Sequence, residues 1–468
     1  MQLTVLNQGE IQAIHGAALH ILAKTGIVLS GDEARALLFD FGASERDGRT
    51  CLPPALVEGC LARCPPQVTL RGRSGRLAVL GDGTLHVHNM GGAREVLDAP
   101  GGDLHPAARR DVAESARLLD ALAGVTTVTP LFTPQDVPAP ALAAVMLAET
   151  VRHTLKPING PGVQTAREVR LLTEMGRVVF GEAAAMSLGV SPVSPLTFPA
   201  GISGAILEIA RQGVPIGPLP CPQVGISAPM SLAGALAQQH AEVLATIVLA
   251  QLAAPGLPVI YCGRLATVNM RTVLPNWGNP EIGLISAATV QIAHRCRLPV
   301  NVYGLAGSGF AIDIQSGYER ALNAALPALA GADELSGVGE MAGGVCSSNA
   351  QMVIDNEIVG MVRRVRSGLA VNKDTLALDV IARVMDLPAR TFLAEPHTVQ
   401  RLRAGEVWQA RLGVQGMDWA TWRAGGCETV VERAQAEAAR ILREHKVPPL
   451  SEEQDRALDE LIRAAQES

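Results

Sequence analysis

The sequence predicts an α/β protein on parallel strands, in its closed form a (β/α)8 TIM-type barrel with an N-terminal helical/β excursion and a C-terminal helical extension. Three observations predict it. From about residue 100, apolar strand-like runs alternate with amphipathic helices across Pro/Gly-rich loops. The runs recur at spacings of roughly 25–45 residues, long enough for a helical crossover each time. Each run is short and apolar, as expected of strands buried on both faces.

The strand candidates are Val125–Val128, Pro157–Gly160, Ala185–Val190, Pro215–Leu219, Pro258–Cys262, Val300–Tyr303 and Glu334–Val338. An eighth is needed for closure, and His86–Asn89 is the candidate for it. Helices are expected at Ala107–Ala123, Ser231–Ala254 and Glu281–Arg295. An open doubly wound sheet stays open as an alternative, but no GxGxxG follows the first strand.

Before this rhythm, the first ~65 residues read as helical. Ile11, Ile14, Ala18, Ile21 and Leu22 share a face, and Gly26 ends the run. Ser30-Gly-Asp-Glu33 reads as a capping box. Residues 68–89 read as short strands around turns such as Gly81-Asp82-Gly83. The tail from about 390 is helical and charged, with a second capping box at Ser451-Glu-Glu-Gln454. The expected division is 1–100, 101–390 for the catalytic barrel, and 391–468.

Composition excludes several classes. With 48% hydrophobic residues, 18% charged residues and 47 glycines, the chain has a large core and is not disordered. A net charge of −6 without a basic tract argues against nucleic acid. The eight cysteines are scattered without a CxxC pair and read as free thiols. The N-terminus MQLTVLNQGE carries no charged-then-apolar leader. The uncharged stretches Ala183–Leu207 and Val243–Gly263 are broken by Pro, Gly and polar residues, so core elements are favoured over membrane spans. A cytoplasmic chain is expected.

In a parallel barrel the chemistry sits in loops at the carboxyl ends of the strands. The loop after Cys262 holds Arg264, Asn276, Trp277 and Asn279, with Tyr261 just before it. The loop after Tyr303 holds Ser308, Phe310, Asp313, Gln315, Tyr318 and Glu319. The stretch after Val338 holds Glu340, Gln351, Asp355, Asn356 and Glu357. Three of the fourteen aromatic residues (7 Phe, 3 Tyr, 4 Trp) fall at 303, 310 and 318. Aromatic faces with carboxylates and no lysine suit an organic cation, against the plainer reading of loop capping and core packing. A Schiff-base lysine is not supported, because Lys156 precedes its strand and Lys373 lies on a late helix. His86 and His88 face one side of a strand without an evident third metal ligand, so no metal is expected.

At these loops the sequence resembles the trimethylamine:corrinoid methyltransferase family. The likeness includes Thr154-Leu-Lys-Pro157, Ala228-Pro-Met-Ser-Leu-Ala-Gly234, Asn276-Trp-Gly-Asn-Pro-Glu281, Asp313-x-Gln315-x-Gly317-Tyr-Glu319, Val353-Ile-Asp-Asn-Glu357 and a tail with Phe392, His397, Arg403 and Trp422. The resemblance implies a β/α barrel that moves a methyl group from a methylated amine to Co(I) of a separate corrinoid protein. It implies no tightly bound cofactor in this chain: Asp103-Leu-His105 begins a corrinoid motif, but Ala108 replaces its glycine. Phe310 lies at or next to the position where archaeal trimethylamine enzymes carry pyrrolysine. The likeness is therefore to the non-pyrrolysine branch, similar to glycine betaine:corrinoid methyltransferases.

A quaternary ammonium expels a neutral tertiary amine and needs no proton, so losing that residue fits such a donor. The candidate catalytic residues are Phe310, Asp313, Gln315 and Glu319, with Asp313 and Glu319 organising the loop or attracting the cation from a distance. The candidate substrate-binding residues are Tyr261, Arg264, Trp277, Tyr303, Phe310, Glu340, Asn356 and Glu357. Phe310, Tyr303 and Tyr261 are the expected cation cage. Arg264, then Arg271, is expected to meet a betaine carboxylate. Glu340 stands where the resemblance implies an apolar residue and is expected to tune substrate choice. The expected partners are a corrinoid (cobalamin) protein and a small methylated amine, with no membrane; a homo-oligomer is left open. Another methyl donor (tertiary amine, sulfonium or aryl ether) and a non-catalytic amine-binding scaffold are the alternatives.

Overall fold

The computed structural model describes residues 3–98 and 102–467. It opens with three helices, α1 (Gln8–His20), α2 (Asp32–Asp40) and α3 (Pro54–Leu61). Asn7 starts α1 through a reciprocal box: its side chain accepts from the Glu10 amide at 3.0 Å, and Glu10 accepts from the Asn7 amide at 2.7 Å. The box expected at Ser30 does not form. The residue before α2 is Gly31, at φ 104°, and no side chain caps the helix. The Ser203 hydroxyl donates to the Ser30 carbonyl at 2.6 Å, and a Cβ on Gly31 would lie 2.7 Å from that hydroxyl. Close packing on a later helix overrides the local signal here.

An antiparallel hairpin, Val68–Arg71 with Leu77–Leu80, comes next. The strand His86–Asn89 then opens a succession of strand segments and helices, with α4 (Arg109–Ala121), α5 (Leu142–Arg152), α6 (Ala166–Phe180), α7 (Ala200–Gln212), α8 (Leu232–Ala253), α9 (Pro280–Arg295), α10 (Ile314–Ala330) and α11 (Asn349–Arg366). The regular strands form two main parallel sheets. One orders Gly162–Val163, Leu188–Val190 and Ile216–Pro218 side by side. The other orders Tyr261–Gly263, Val300–Tyr303, Glu334–Val338 and His86–Asn89. Single parallel bridges extend them, Ile216 to Val259 and Val128 to Ile158, and the Thr126 amide donates to the Val87 carbonyl at 2.8 Å. The parallel α/β class thus holds, and His86–Asn89 takes part in it although it lies within the first 100 residues.

Packing follows from composition. Helix α8 is apolar all round and is the one described helix long and apolar enough to cross a membrane, yet it is buried along most of its length beneath α1, α3 and α7. The hairpin packs Leu70 and Leu80 against Ile260 and Cys262. Lys156 is buried and donates to the Leu119 and Leu122 carbonyls at 2.6 and 2.7 Å, so it closes the end of α4 rather than entering a site. All eight cysteines are free.

The charged tail folds back as helices Val430–Glu444 and Glu452–Gln466. Ser451 caps the second as expected, accepting from the Gln454 amide at 3.2 Å. Leu458, Ile462 and Ala465 bury its inner face against α5 and α6. The Arg152 guanidinium ties it down through Asp455 at 2.6 Å and Asp459 at 2.7 Å. Leu458→Ala is expected to cost about 2–5 kcal/mol through the cavity left at a fully buried site. Urea unfolding of the full chain measures it, and a change below ~1 kcal/mol would mean this helix adds little to the fold.

Candidate active site

A cavity of about 890 Å³ opens at the carboxyl ends of the parallel strands. Each strand segment contributes to its wall, through His88, Thr129, Asn159, Gly189, Gly217, Cys262, Asn301 and Ser336 in chain order. Two glycines create the space. A Cβ on Gly189 would lie 3.2 Å from the Gly160 carbonyl, and one on Gly217 would lie 3.2 Å from Cys262 Sγ.

At the foot of the cavity Glu334 is fully buried. Its carboxylate accepts from Thr127 Oγ1 at 2.5 Å, from Asn301 Nδ2 at 2.5 Å, and from Asn159 Nδ2. Asn301 Nδ2 also donates to His88 Nε2 at 2.7 Å. That bond assigns the acceptor nitrogen, so the proton of neutral His88 sits on Nδ1, which has no partner among the described residues. Burial lowers the His88 pKa and keeps the ring neutral. Above it, Arg264 donates to the Gly263 and Asn301 carbonyls at 3.0 Å each and to Asn301 Oδ1. Its guanidinium carbon lies 4.6 Å from the centre of the Tyr303 ring. Among the described residues, no carboxylate forms an ion pair with Arg264.

The three loops picked out from the sequence meet over this mouth. Ser308 Oγ is the junction: it accepts from the Trp277 and Gly278 amides at 3.0 and 2.9 Å and donates to Asn276 Oδ1 at 2.6 Å. The third loop joins through Ala342 N to Gly309 O and Gly343 N to Gly307 O, at 3.0 and 2.9 Å. Glu319 organises the second loop, accepting from the Ser308 amide at 2.9 Å and from Gln315 Nε2 at 2.8 Å. Its carboxylate fits only because residue 278 is glycine, where a Cβ would fall 2.1 Å from Glu319 Cδ. Asp313 caps α10 by accepting from the Ser316 amide at 3.2 Å. Beneath the loops, buried Arg320 holds the carbonyls of Leu305 and Glu340, and Asp355 Oδ2 at 3.3 Å. Asp355 also accepts from Gly339 N and Gln351 Nε2, and burial raises its pKa to about 6.

Of the candidate residues, Arg264 and Tyr303 line the cavity. Trp277 stands edge-on to Tyr303 with ring centres 4.6 Å apart. Phe310, on the loop after Tyr303, is 67% exposed and is not among the residues that line the cavity. Three placements differ from expectation. Tyr261 is fully buried on the opposite face of its strand, where its hydroxyl meets His240 Nδ1 at 3.0 Å, so it lines no cage. Asn356 and Glu357 turn away from the mouth: Asn356 accepts from the Gly124 amide, and Glu357 accepts from the Arg411 and Leu412 amides. Tyr303 faces a cation already, the Arg264 guanidinium, so the three-ring cage does not assemble. Arg271 is on the exposed tip between Thr267–Asn269 and Leu274–Asn276. Sequence reasoning missed Glu334, Asn301 and Asn159, and weighed His88 only as a metal ligand. The signal for them was polar side chains inside otherwise apolar strands.

Glu340 is buried, and neither carboxyl oxygen has a hydrogen-bond partner among the described residues. Burial pushes its pKa up to about 8, although Arg320 and Arg264 pull the other way. The raised value makes the folded state hold a proton that the unfolded chain releases near the ordinary carboxyl pKa. The stability this contributes is full below pH ~4.5 and is lost as pH rises toward ~8. Glu340→Gln has no such loss, so the variant should gain on the native chain between pH 5 and 8 and run parallel to it above. Urea unfolding at pH 5, 7 and 9 tests this. A constant difference would show that Glu340 titrates normally.

The fold and its mouth define a parallel α/β enzyme with a deep cavity at the strands' carboxyl ends, its largely apolar wall set with a few polar groups. The family model for trimethylamine methyltransferase (MTTB) matches residues 1–468. A Desulfitobacterium hafniense (strain DSM 10664 / DCB-2) protein named trimethylamine methyltransferase MttB is 32% identical over 453 residues, covering 95% of this chain and 90% of that protein. A Methanosarcina barkeri protein of the same name is 28% identical over 96% of this chain and 92% of its own length. A glycine betaine methyltransferase from Desulfitobacterium hafniense (strain Y51) is 28% identical over 98% of this chain and 96% of that protein. The crystal structure of the Methanosarcina barkeri monomethylamine methyltransferase (MtmB) superposes with a TM-score of 0.51, covering 98% of this chain and 86% of that one, a likeness of fold alone at 12% identity. The chain belongs to the trimethylamine methyltransferase (MTTB) family and is a corrinoid-dependent methyl-transfer enzyme.

Proposed function

We propose that this chain moves a methyl group from a betaine-like quaternary amine to Co(I) of a separate corrinoid protein, within one closed (β/α)8 barrel. The succession of parallel pairings from His86–Asn89 round to Glu334–Val338 supports the barrel. The observation that carries the donor class is Arg264, a buried guanidinium in the cavity with no carboxylate paired to it. A betaine brings the missing carboxylate, and a charge-assisted hydrogen bond to it fixes the donor's orientation. The corrinoid supplies the nucleophile: as the Co–C bond forms, the C–N bond breaks and its electron pair leaves on nitrogen as a neutral tertiary amine. The chain's own residues bind, orient and exclude water.

Exposed apolar side chains on segments that follow the strands, Met230, Met270, Leu274, Phe310 and Ile314, suit an incoming partner domain. Phe310, at or next to the position where the archaeal trimethylamine enzymes carry pyrrolysine, supports a donor that needs no capture or protonation. Free thiols and the buried α8 fit a cytoplasmic chain. A tertiary-amine donor is the second reading, favoured by the names of the first two relatives.

Anaerobic incubation with Co(I) cobalamin and a panel of betaines, tetramethylammonium, trimethylamine and a sulfonium separates these readings by the visible spectrum. Methyl-Co(III) is expected from betaines. Turnover of trimethylamine alone would overturn the quaternary reading, and no turnover with any donor would overturn methyl transfer to cobalt. Arg264→Gln should raise KM for a betaine by about tenfold or more, from a lost interaction of ~1.5–3 kcal/mol. KM for tetramethylammonium, which has no carboxylate, should stay within about twofold. Equal losses on both donors would remove Arg264 as the carboxylate anchor.

A further inference from the structure

We propose that His15, His240 and Cys296, buried behind the barrel wall, form a structural zinc site. They come from α1, α8 and the residue that closes α9, yet their ligand atoms lie within 4.8 Å of one another. His15 Nδ1 and His240 Nε2 face each other at 2.9 Å, and both rings are fully buried. On each ring the other nitrogen is already held by an oxygen. His15 Nε2 is 2.8 Å from Glu58 Oε1, and His240 Nδ1 is 3.0 Å from the Tyr261 hydroxyl. Outer oxygens of this kind orient metal-binding imidazoles and leave the inner nitrogens free to ligate.

With metal on Nε2, His240 carries its proton on Nδ1 and donates it to the Tyr261 oxygen, 3.0 Å away.

The donor set selects the ion. Two imidazoles and a thiolate suit a borderline-soft ion such as zinc rather than calcium or magnesium. Two nitrogens on tetrahedral zinc stand about 3.3 Å apart, so the pair needs to open by only a few tenths of an ångström. Binding expels the Cys296 thiol proton to solvent. Zinc, the thiolate and the Glu58 carboxylate then sum to zero charge, with the Arg295 guanidinium beside the thiolate adding one positive charge. Glu58 is 45% exposed, so solvent reaches this edge for ion entry and for the fourth ligand. The ion would staple α1 to α8 and α9 outside the strand that carries Tyr261.

The test is metal analysis of the full-length chain purified with reductant from zinc-supplemented growth, followed by cobalt substitution. Stoichiometric zinc and a thiolate-to-cobalt absorption band are expected. The band should be lost in Cys296→Ser and retained in Cys427→Ser, and chelation should lower Tm. If Cys296→Ser does not fold, cobalt titration of the native chain decides alone. Substoichiometric zinc with no cobalt band overturns the site and leaves a metal-free hydrogen-bonded chain from Tyr261 to Glu58. Neither result depends on methyl transfer.

Discussion

The mouth of this enzyme is organised by one carboxylate that has no access to water. A buried ion costs several kcal/mol unless hydrogen bonds replace its hydration, and Glu334 obtains them from Thr127, Asn159 and Asn301. Satisfying Glu334 fixes everything above it. Asn301 spends one amide hydrogen on Glu334 and the other on His88, so its Oδ1 must face Arg264. An amide flip would press oxygen against the carboxylate. The Arg264 guanidinium and the neutral His88 imidazole are thereby set in place.

The loops rest on this foundation in a second tier. Ser308 receives two amides from the Trp277 loop, and Glu319 holds the Ser308 amide in turn. Arg320 then pins the carbonyls of Leu305 and Glu340, which belong to two different loops. Asp313 and Glu319 thus act as builders of the mouth. Their carboxylates are committed to backbone and side-chain donors, which leaves little charge to project at a ligand.

What the sequence made legible follows the range of the forces involved. Val300–Tyr303 and Glu334–Val338 were read to the residue, because a short apolar run between turns is a local signal. The convergence of the three loops was also legible, since all follow carboxyl ends of strands. The roles inside them were not. Strand alternation sends Cys262 and Arg264 into the cavity and Tyr261 to the outer wall, a parity fixed only once the side of the sheet that holds the cavity is known. Helix α11 turns roughly 100° per residue, so Asp355, Asn356 and Glu357 cannot share a direction; Asp355 faces Arg320 while its neighbours face Gly124 and the tail. Glu334 and Asn301 stayed hidden because a polar residue within an apolar strand gives no sign of a partner far away in sequence. His15, His240 and Cys296 were invisible for the same reason.

The charge pattern at the mouth bears on the order of events during transfer. If the donor is a quaternary amine, as proposed, its nitrogen is cationic at the start and neutral at the end, so a fixed anion against it would favour the ground state over the transition state. Among the described residues, Arg264 and Glu168 are the charged side chains that line the cavity, and Glu168 accepts from the Gln164 amide at its edge. Glu334 is already matched by three donors, and Glu340, pushed up to about 8, holds its proton at neutral pH. On the betaine reading, the enzyme therefore grips the donor by the charge that persists, its carboxylate, through Arg264. The charge that vanishes is left to the largely apolar part of the cavity wall. Binding energy drawn from the carboxylate is the same before and after the C–N bond breaks, so it positions the methyl group without opposing its departure.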